Sequence, residues 1–101
     1  MVKHVILWKL KSDLSDDEKA SVISGIKQNL EALAGVVPGL VSIKVECEKV
    51  LPSSNADLML DSLFEDDGAL KGYAVHPAHV AAANTYVRPF TETRLCLDYE
   101  I

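Results

Sequence analysis

Alternation between apolar and polar residues marks four segments of the chain, and a long segment of helical periodicity separates the first two. The clearest alternation runs over residues 2–10, and it recurs over 40–48, 56–64 and 91–101. A two-residue period is typical of a strand with one face buried. The first strand presents Val2, His4, Ile6, Trp8 and Leu10 on one face, and the second is expected to present Val41, Ile43, Val45 and Cys47 on one face. The pattern therefore predicts four strands, the first two of which are joined by a helix.

Helix signals fill the remaining segments. Ser15 precedes three acidic residues in the manner of a capping box, apolar residues then recur at helical spacing, and the pattern predicts a helix over 15–34. Two short helices are predicted over 65–73 and from Pro77 towards Val87, where Pro89 ends the second. The order strand, helix, strand, strand, helix pair, strand is the split β-α-β arrangement of the ferredoxin-like α+β class. We therefore expect a four-stranded antiparallel sheet with helices on one face.

The other face of this sheet is predicted to be apolar. Val5 and Leu7 lie on the side of the first strand that the helices do not cover, and part of the second strand joins them. A small domain rarely exposes such a surface to water. We therefore predict a homodimer with its two sheets packed face to face.

Composition limits the classes of function. A chain of 101 residues with 15 acidic and 10 basic residues fits one domain over 1–101, and its net charge of −5 argues against nucleic-acid binding. The apolar run at the N-terminus is too short and interrupted for a signal peptide or a membrane span, so a cytoplasmic location is expected. In such a reducing compartment Cys47 and Cys96 are expected to be buried thiols rather than a disulfide, and neither belongs to a metal-binding C-x-x-C pair.

The segment Tyr73-Ala74-Val75-His76-Pro77-Ala78-His79-Val80 holds two of the three histidines. Pro77 suits the first position of a helix, which places His79 on its first turn. The helix dipole there disfavours the charged imidazolium, so His79 is predicted to be a neutral base near pH 7. The alternative is that these histidines only cap and pack a surface loop.

A metal site is not predicted from these histidines. His76 and His79 are three residues apart, but no neighbouring Asp, Glu or Cys completes a ligand set with them or with His4. A neutral histidine that acts as a base requires no metal or organic cofactor, so none is expected.

Three parts of the chain together resemble a known family. The opening strand, residues 2–11, the Tyr-x-x-His-Pro-x-His segment from Tyr73 to His79, and the closing residues 97–100 are similar to the stress-responsive dimeric α+β barrel (Dabb) domain. The resemblance covers essentially the whole chain. It implies a dimer whose sheets form a barrel, with an apolar pocket beneath the helices of each monomer. Members include plant stress-response proteins and olivetolic acid cyclase, which closes a linear polyketide by aldol condensation.

The resemblance also implies roles for residues of the pocket. His79 resembles the general base, Tyr73 resembles the residue that binds or polarises a substrate carbonyl, and His4 resembles a pocket-lining histidine. Leu58 stands where the cyclase has a further pocket histidine, so the resemblance does not extend to the same substrate and reaction. The predicted substrate-binding residues are His4, Ile6, Trp8, Leu58 and Phe90, with a small apolar carbonyl or aromatic compound as ligand. For Trp8 and Phe90 the alternative is packing in the core.

Three hypotheses for function stay open at this point. The first is a cofactor-free acid–base catalyst, such as a cyclase, isomerase or lyase, and the second is a non-catalytic, stress-related binding or structural dimer. The third is a cofactor-free monooxygenase, which shares the barrel shape. The cavity discriminates between the first two, because a structural protein would fill it with Trp8, Tyr86 and Phe90.

Overall fold

The four alternating segments form one antiparallel sheet in the computed structural model, which describes residues 1–101. The strands are β1 (Val2–Leu10), β2 (Leu40–Glu46), β3 (Leu58–Phe64) and β4 (Thr91–Glu100). Their spatial order is β2-β3-β1-β4, so β1 lies between β3 and β4 in the middle of the sheet. This arrangement confirms the predicted ferredoxin-like α+β fold.

Three α-helices connect the strands. They are α1 (Asp16–Glu31), α2 (Asp67–Val75) and α3 (Pro77–Ala82). Ser15 caps α1 with the predicted capping box, since its hydroxyl accepts from the Glu18 amide and the Glu18 carboxylate accepts from the Ser15 amide. None of these helices is long and apolar enough to span a membrane.

The core lies between one face of the sheet and α1. The residues of β1 that were predicted to share a face do so, and the side chains of β1 and β3 alternate between buried and more exposed positions. The buried apolar residues of these elements are Val2, Ile6, Trp8, Leu10, Leu58, Leu60, Phe64, Ile26 and Leu30. Burial of this apolar surface is the main favourable contribution to folding.

A β-bulge corrects the prediction for the second strand. Val41, Ile43, Val45 and Cys47 were expected to share one face, and this is wrong for Val41. Leu40 pairs with Phe64 and Ser42 pairs with Leu63, so Val41 is the extra residue and is 47% exposed. The strand ends at Glu46, before Cys47.

The helix predicted from Pro77 to Val87 is not one continuous α-helix. Residues Ala83–Val87 form a π-helical turn after α3, and Arg88–Phe90 form a 3₁₀ turn that leads into β4. A π-turn contains one residue more than an α-turn, and such turns are frequent at functional sites. Here it directs the end of the segment back across the sheet.

The face of the sheet opposite the helices is apolar along β1 and β4. Val5 pairs with Leu97 and Leu7 pairs with Leu95 in the antiparallel register. Leu95 and Leu97 are 62% and 63% exposed, and Tyr99 further along β4 is also exposed. This surface is therefore apolar, as the sequence predicted for the face that the helices do not cover.

Candidate functional site

A cavity of about 370 Å³ lies between the helix-facing side of the sheet, α1 and the segment after α2. Its volume is at the lower end of the range for small-molecule pockets. Its apolar lining consists of Ile6, Trp8, Leu30, Leu60, Ala83 and Val87, together with the aromatic ring of Tyr73. Its polar lining consists of His4, His79, Arg88, Thr91 and Arg94.

The corner between α2 and α3 positions Tyr73 and His79. His76 ends α2 and caps α3, and its Nδ1 accepts a hydrogen bond of 3.1 Å from the Ala78 amide. Pro77 occupies the first helical position, as predicted, where its missing N–H costs no hydrogen bond. The sharp corner therefore brings Tyr73, near the end of α2, against His79 on α3.

Tyr73 carries a buried hydroxyl without a hydrogen-bond partner. The residue is 1% exposed, and its ring centroid lies 5.0 Å from that of Phe64 in an edge-on arrangement. No group in the chain donates to or accepts from its oxygen. Burial raises the pKa of Tyr73 to about 12, so the phenol stays protonated near neutral pH and can donate.

His79 packs against Tyr73 and is held as a neutral imidazole. The two ring centroids are 4.1 Å apart, and His79 Nδ1 lies 3.3 Å from the carbonyl oxygen of Ala74. A carbonyl can only accept, so Nδ1 carries the hydrogen and Nε2 keeps its lone pair. Burial makes the largest contribution to lowering the pKa of His79, and the positive charges of Arg88 and Arg94 lower it further.

His4 is oriented by a carboxylate from β4. Its Nδ1 lies 2.5 Å from Asp98 Oδ1, and because a carboxylate only accepts, Nδ1 is the protonated nitrogen. Cys96, which is exposed rather than buried as predicted, has its Sγ 3.8 Å from the same nitrogen. His4, Cys96 and Asp98 thus each bring one metal-binding atom within 4.8 Å of the others. This group could not be predicted from the sequence, because its residues are far apart in the chain and meet only through the pairing of His4 with Asp98 in the β1–β4 register.

The two arginines of the lining were also missed from the sequence. Arg94 precedes Cys96 and Asp98 on the side of β4 that alternates with Leu95 and Leu97. The sequence signal for Arg94 was the polar, helix-facing side of the edge strand β4. Arg88 had none, because the π-turn that places it could not be read from the pattern.

The structure brings most of the predicted site residues together. His4, Ile6, Trp8, Tyr73 and His79 line the cavity. Leu58 does not line it, and its side chain is buried in the core. Phe90 lines a separate cavity of about 440 Å³, shared with Tyr86 and residues of α1. The first cavity is thus not filled by Trp8, Tyr86 and Phe90 together.

A ferredoxin-like sheet with a polar and apolar cavity beneath its helices defines a class of small α+β domains. Within that class, the chain belongs to the stress responsive A/B barrel domain (Dabb) family, whose model matches residues 2–101. It is 31% identical over 100 residues to an uncharacterized protein of Streptomyces coelicolor, with 99% of each chain covered. It is 26% identical over 99 residues to a stress-response A/B barrel domain-containing protein of Arabidopsis thaliana, covering 98% of this chain and only 36% of that protein.

Solved structures support the same fold. A dimeric protein of unknown function from Bacteroides fragilis is 35% identical, with a TM-score of 0.92 over 99% of this chain and 95% of that one. The hydroxynitrile lyase of Passiflora edulis is 18% identical, with a TM-score of 0.74 over 99% and 92%. An antibiotic biosynthesis monooxygenase is 10% identical, with a TM-score of 0.75 over 100% and 98%. At these low identities the last two show the fold alone.

Proposed function

We propose that this domain binds a small carbonyl compound in the cavity and catalyses a cofactor-free acid–base reaction on it, of the cyclase, isomerase or lyase kind. One observation carries the proposal, namely the buried Tyr73 hydroxyl, which has no partner in the chain although the ring of the same residue packs against His79. A buried polar group without a partner costs about 1–3 kcal/mol. A ligand oxygen that accepts from this hydroxyl would remove that cost.

The chemistry divides between the two residues. The Tyr73 O–H donates to the carbonyl oxygen of the bound compound, and His79 Nε2 removes a proton from the adjacent carbon. The C–H electron pair then forms an enolate, whose oxygen the Tyr73 hydroxyl stabilises. His79 returns its proton to the product after the new bond has formed or the old one has broken. His4, held by Asp98, is the second histidine in reach of the cavity and is a candidate for this base role as well.

The proposal is tested by ligand binding and turnover on matched variants. The panel consists of β-keto acids, phenolic acids and quinones, screened first by thermal shift. His79→Gln removes the base, while His76→Asn removes the neighbouring imidazole and keeps a preferred N-cap residue. We expect at least one compound to raise the melting temperature of the wild type and of His76→Asn. Both of these proteins should turn that compound over, whereas His79→Gln should not.

Other outcomes separate the alternative functions. Binding that depends on His79 without any turnover would support the non-catalytic binding protein. Oxygen consumption with quinol-like members of the panel would support the monooxygenase, whose fold is shared by one of the structures above. If no compound stabilises the wild-type protein, the proposal fails in favour of a structural dimer.

We also propose that two copies associate through the uncovered face of the sheet. The support is the exposed apolar surface of Leu95, Leu97 and Tyr99 on β4, next to Val5 and Leu7 on β1. The solved relative from Bacteroides fragilis is a dimer. We further propose that residues 1–101 act as one domain. We also propose a cytoplasmic location, which agrees with the two free cysteines.

A further inference from the structure

Both arginines of the chain line the cavity. The sequence contains only two, Arg88 and Arg94, among its 10 basic residues. No lysine lines the cavity, and none of the 15 acidic residues does. In a chain with a net charge of −5, the cavity is therefore a local region of positive charge.

Neither guanidinium group is neutralised within the chain. Every ion pair uses a lysine or His4 as its basic partner. Arg88 donates to the side-chain oxygen of Asn84, which is neutral. The carboxylate of Asp98 is engaged by His4. Since a guanidinium has five N–H donors, most of the donors of these two side chains remain available to a ligand.

The positive charge reaches the proposed catalytic pair. Burial is the largest influence on the pKa of both Tyr73 and His79, but the charge of Arg94 acts to lower both values, and Arg88 acts to lower that of His79. The apolar residues Ile6, Leu60 and Val87 belong to the rest of the lining. The cavity therefore combines two positive charges, which act on both acid–base residues, with an apolar lining.

We propose that the compound bound in this cavity is an organic acid, whose carboxylate is held by Arg94 and Arg88 while its apolar body packs on the aliphatic lining. A guanidinium matches the two oxygens of a carboxylate with parallel N–H donors, which a lysine cannot do. The inference rests on the proposed function for the place of the ligand, and it goes further in assigning its chemical class. A bound carboxylate also leaves the Tyr73 hydroxyl free for a second oxygen, such as a keto group.

The test compares acids with their uncharged methyl esters. The panel is benzoate, 4-hydroxybenzoate, phenylpyruvate and hexanoate, each paired with its ester, titrated at constant ionic strength into the ¹⁵N-labelled full chain. We expect at least one acid to bind and to shift the amide signals around Tyr73 and His79. Its ester should bind about tenfold to a hundredfold more weakly, the range expected for losing hydrogen bonds to a charged group.

Charge-matched variants identify the residue responsible. Arg94→Gln should abolish the preference for the acid over the ester. Lys49→Gln removes one positive charge from an exposed loop outside this cavity and should leave the preference unchanged. Esters that bind as tightly as acids, an acid preference that survives in Arg94→Gln, or no binding by any acid would each overturn the inference.

The two proposals fail in different ways. Esters that bind as well as acids, with binding lost in His79→Gln, leave the proposed function standing without the carboxylate. Acids that bind through Arg94 and are turned over equally well by wild type and His79→Gln support the carboxylate site and overturn the assigned base.

Discussion

Tyr73 carries a buried hydroxyl for which the chain supplies no partner, while its ring is packed on two sides. The ring and the hydroxyl should therefore contribute to stability in opposite directions. Tyr73→Phe keeps the ring and removes an unpaired polar group, so we expect the free energy of unfolding to stay equal or to rise. Tyr73→Ala should lower it by about 3–5 kcal/mol, as for other large aromatic deletions in cores.

Urea denaturation of the wild type and both variants measures this difference. A loss of more than about 1 kcal/mol in Tyr73→Phe would mean that the hydroxyl has a structural partner, since a typical hydrogen bond contributes about that much. The same variant should lose ligand binding or turnover. Stability that is kept while function is lost is the result expected for a residue whose hydroxyl serves a ligand.

The lowered pKa of His79 predicts how function and stability depend on pH. Burial and the nearby arginines lower its pKa below the ordinary value of about 6.5. The neutral base is then retained as the pH falls through 6.5, and its function is lost only at lower pH. Its protonation favours the unfolded chain, so its contribution to stability is present above about 6.5 and lost as the pH falls.

An NMR titration of the His79 ring protons measures the midpoint directly. We expect a midpoint below 6.5 in the wild-type protein, moving upward in Arg94→Gln, because that variant removes one of the positive charges that lower the pKa. A midpoint at or above 6.5 in the wild type would contradict the assigned burial of the ring.

At the scale of the elements, two glycines precede β2, and one of them allows α2 to pack closely against the start of that strand. Gly35 and Gly39 both have positive φ, 80° and 79°, a conformation that disfavours side chains. A Cβ on Gly35 would meet nothing within 4 Å, but a Cβ on Gly39 would lie 2.4 Å from the Cβ of Ala69 on α2. The second glycine is therefore required for packing as well as for its backbone conformation.

Alanine substitutions separate these two requirements. Gly35→Ala should cost about 1–2 kcal/mol from the backbone conformation alone. Gly39→Ala should cost about 1–3 kcal/mol more, the usual penalty for inserting a group into a packed core. Equal effects of the two substitutions in denaturant unfolding would contradict the close contact between Gly39 and α2.

Elements were predictable from the sequence where their signals are local. The alternation of β1 and β3, the Ser15 capping box and Pro77 at the start of α3 all follow from neighbouring residues. The bulge at Val41 and the π-turn at Ala83–Val87 have no such signal, because tertiary packing selects them.

The site divides in the same way. Tyr73 and His79 share one short segment, and the sequence pointed to both. Arg94 reaches the cavity, and Asp98 reaches His4, only through the pairing of β4 with β1, which joins positions more than 80 residues apart. Register between distant strands depends on the whole sheet, so these contributions required the structure.

At the scale of the whole molecule, the uncovered sheet face gives the last prediction. Leu95 and Leu97 project from β4 on the side opposite the helices and the cavity, and more than half of each side chain is exposed in the single chain. Burial of this surface against a second copy would stabilise a dimer by the hydrophobic effect. The wild-type protein should therefore show twice the 11.0 kDa mass of the chain in light scattering.

A charge on this face should dissociate the dimer without unfolding the chain. Leu97→Glu places a carboxylate at a position that is 63% exposed in the single chain, so the fold loses little, but a face-to-face dimer would bury that charge without a partner. Val75→Glu is the matched control, since Val75 lies at the end of α2, is 75% exposed and is away from the sheet. We expect the mass of one chain for Leu97→Glu and of two chains for Val75→Glu, with the same circular dichroism for both. A wild-type protein that stays monomeric at micromolar concentrations, or a Leu97→Glu variant that stays dimeric, would show that this face is not the interface.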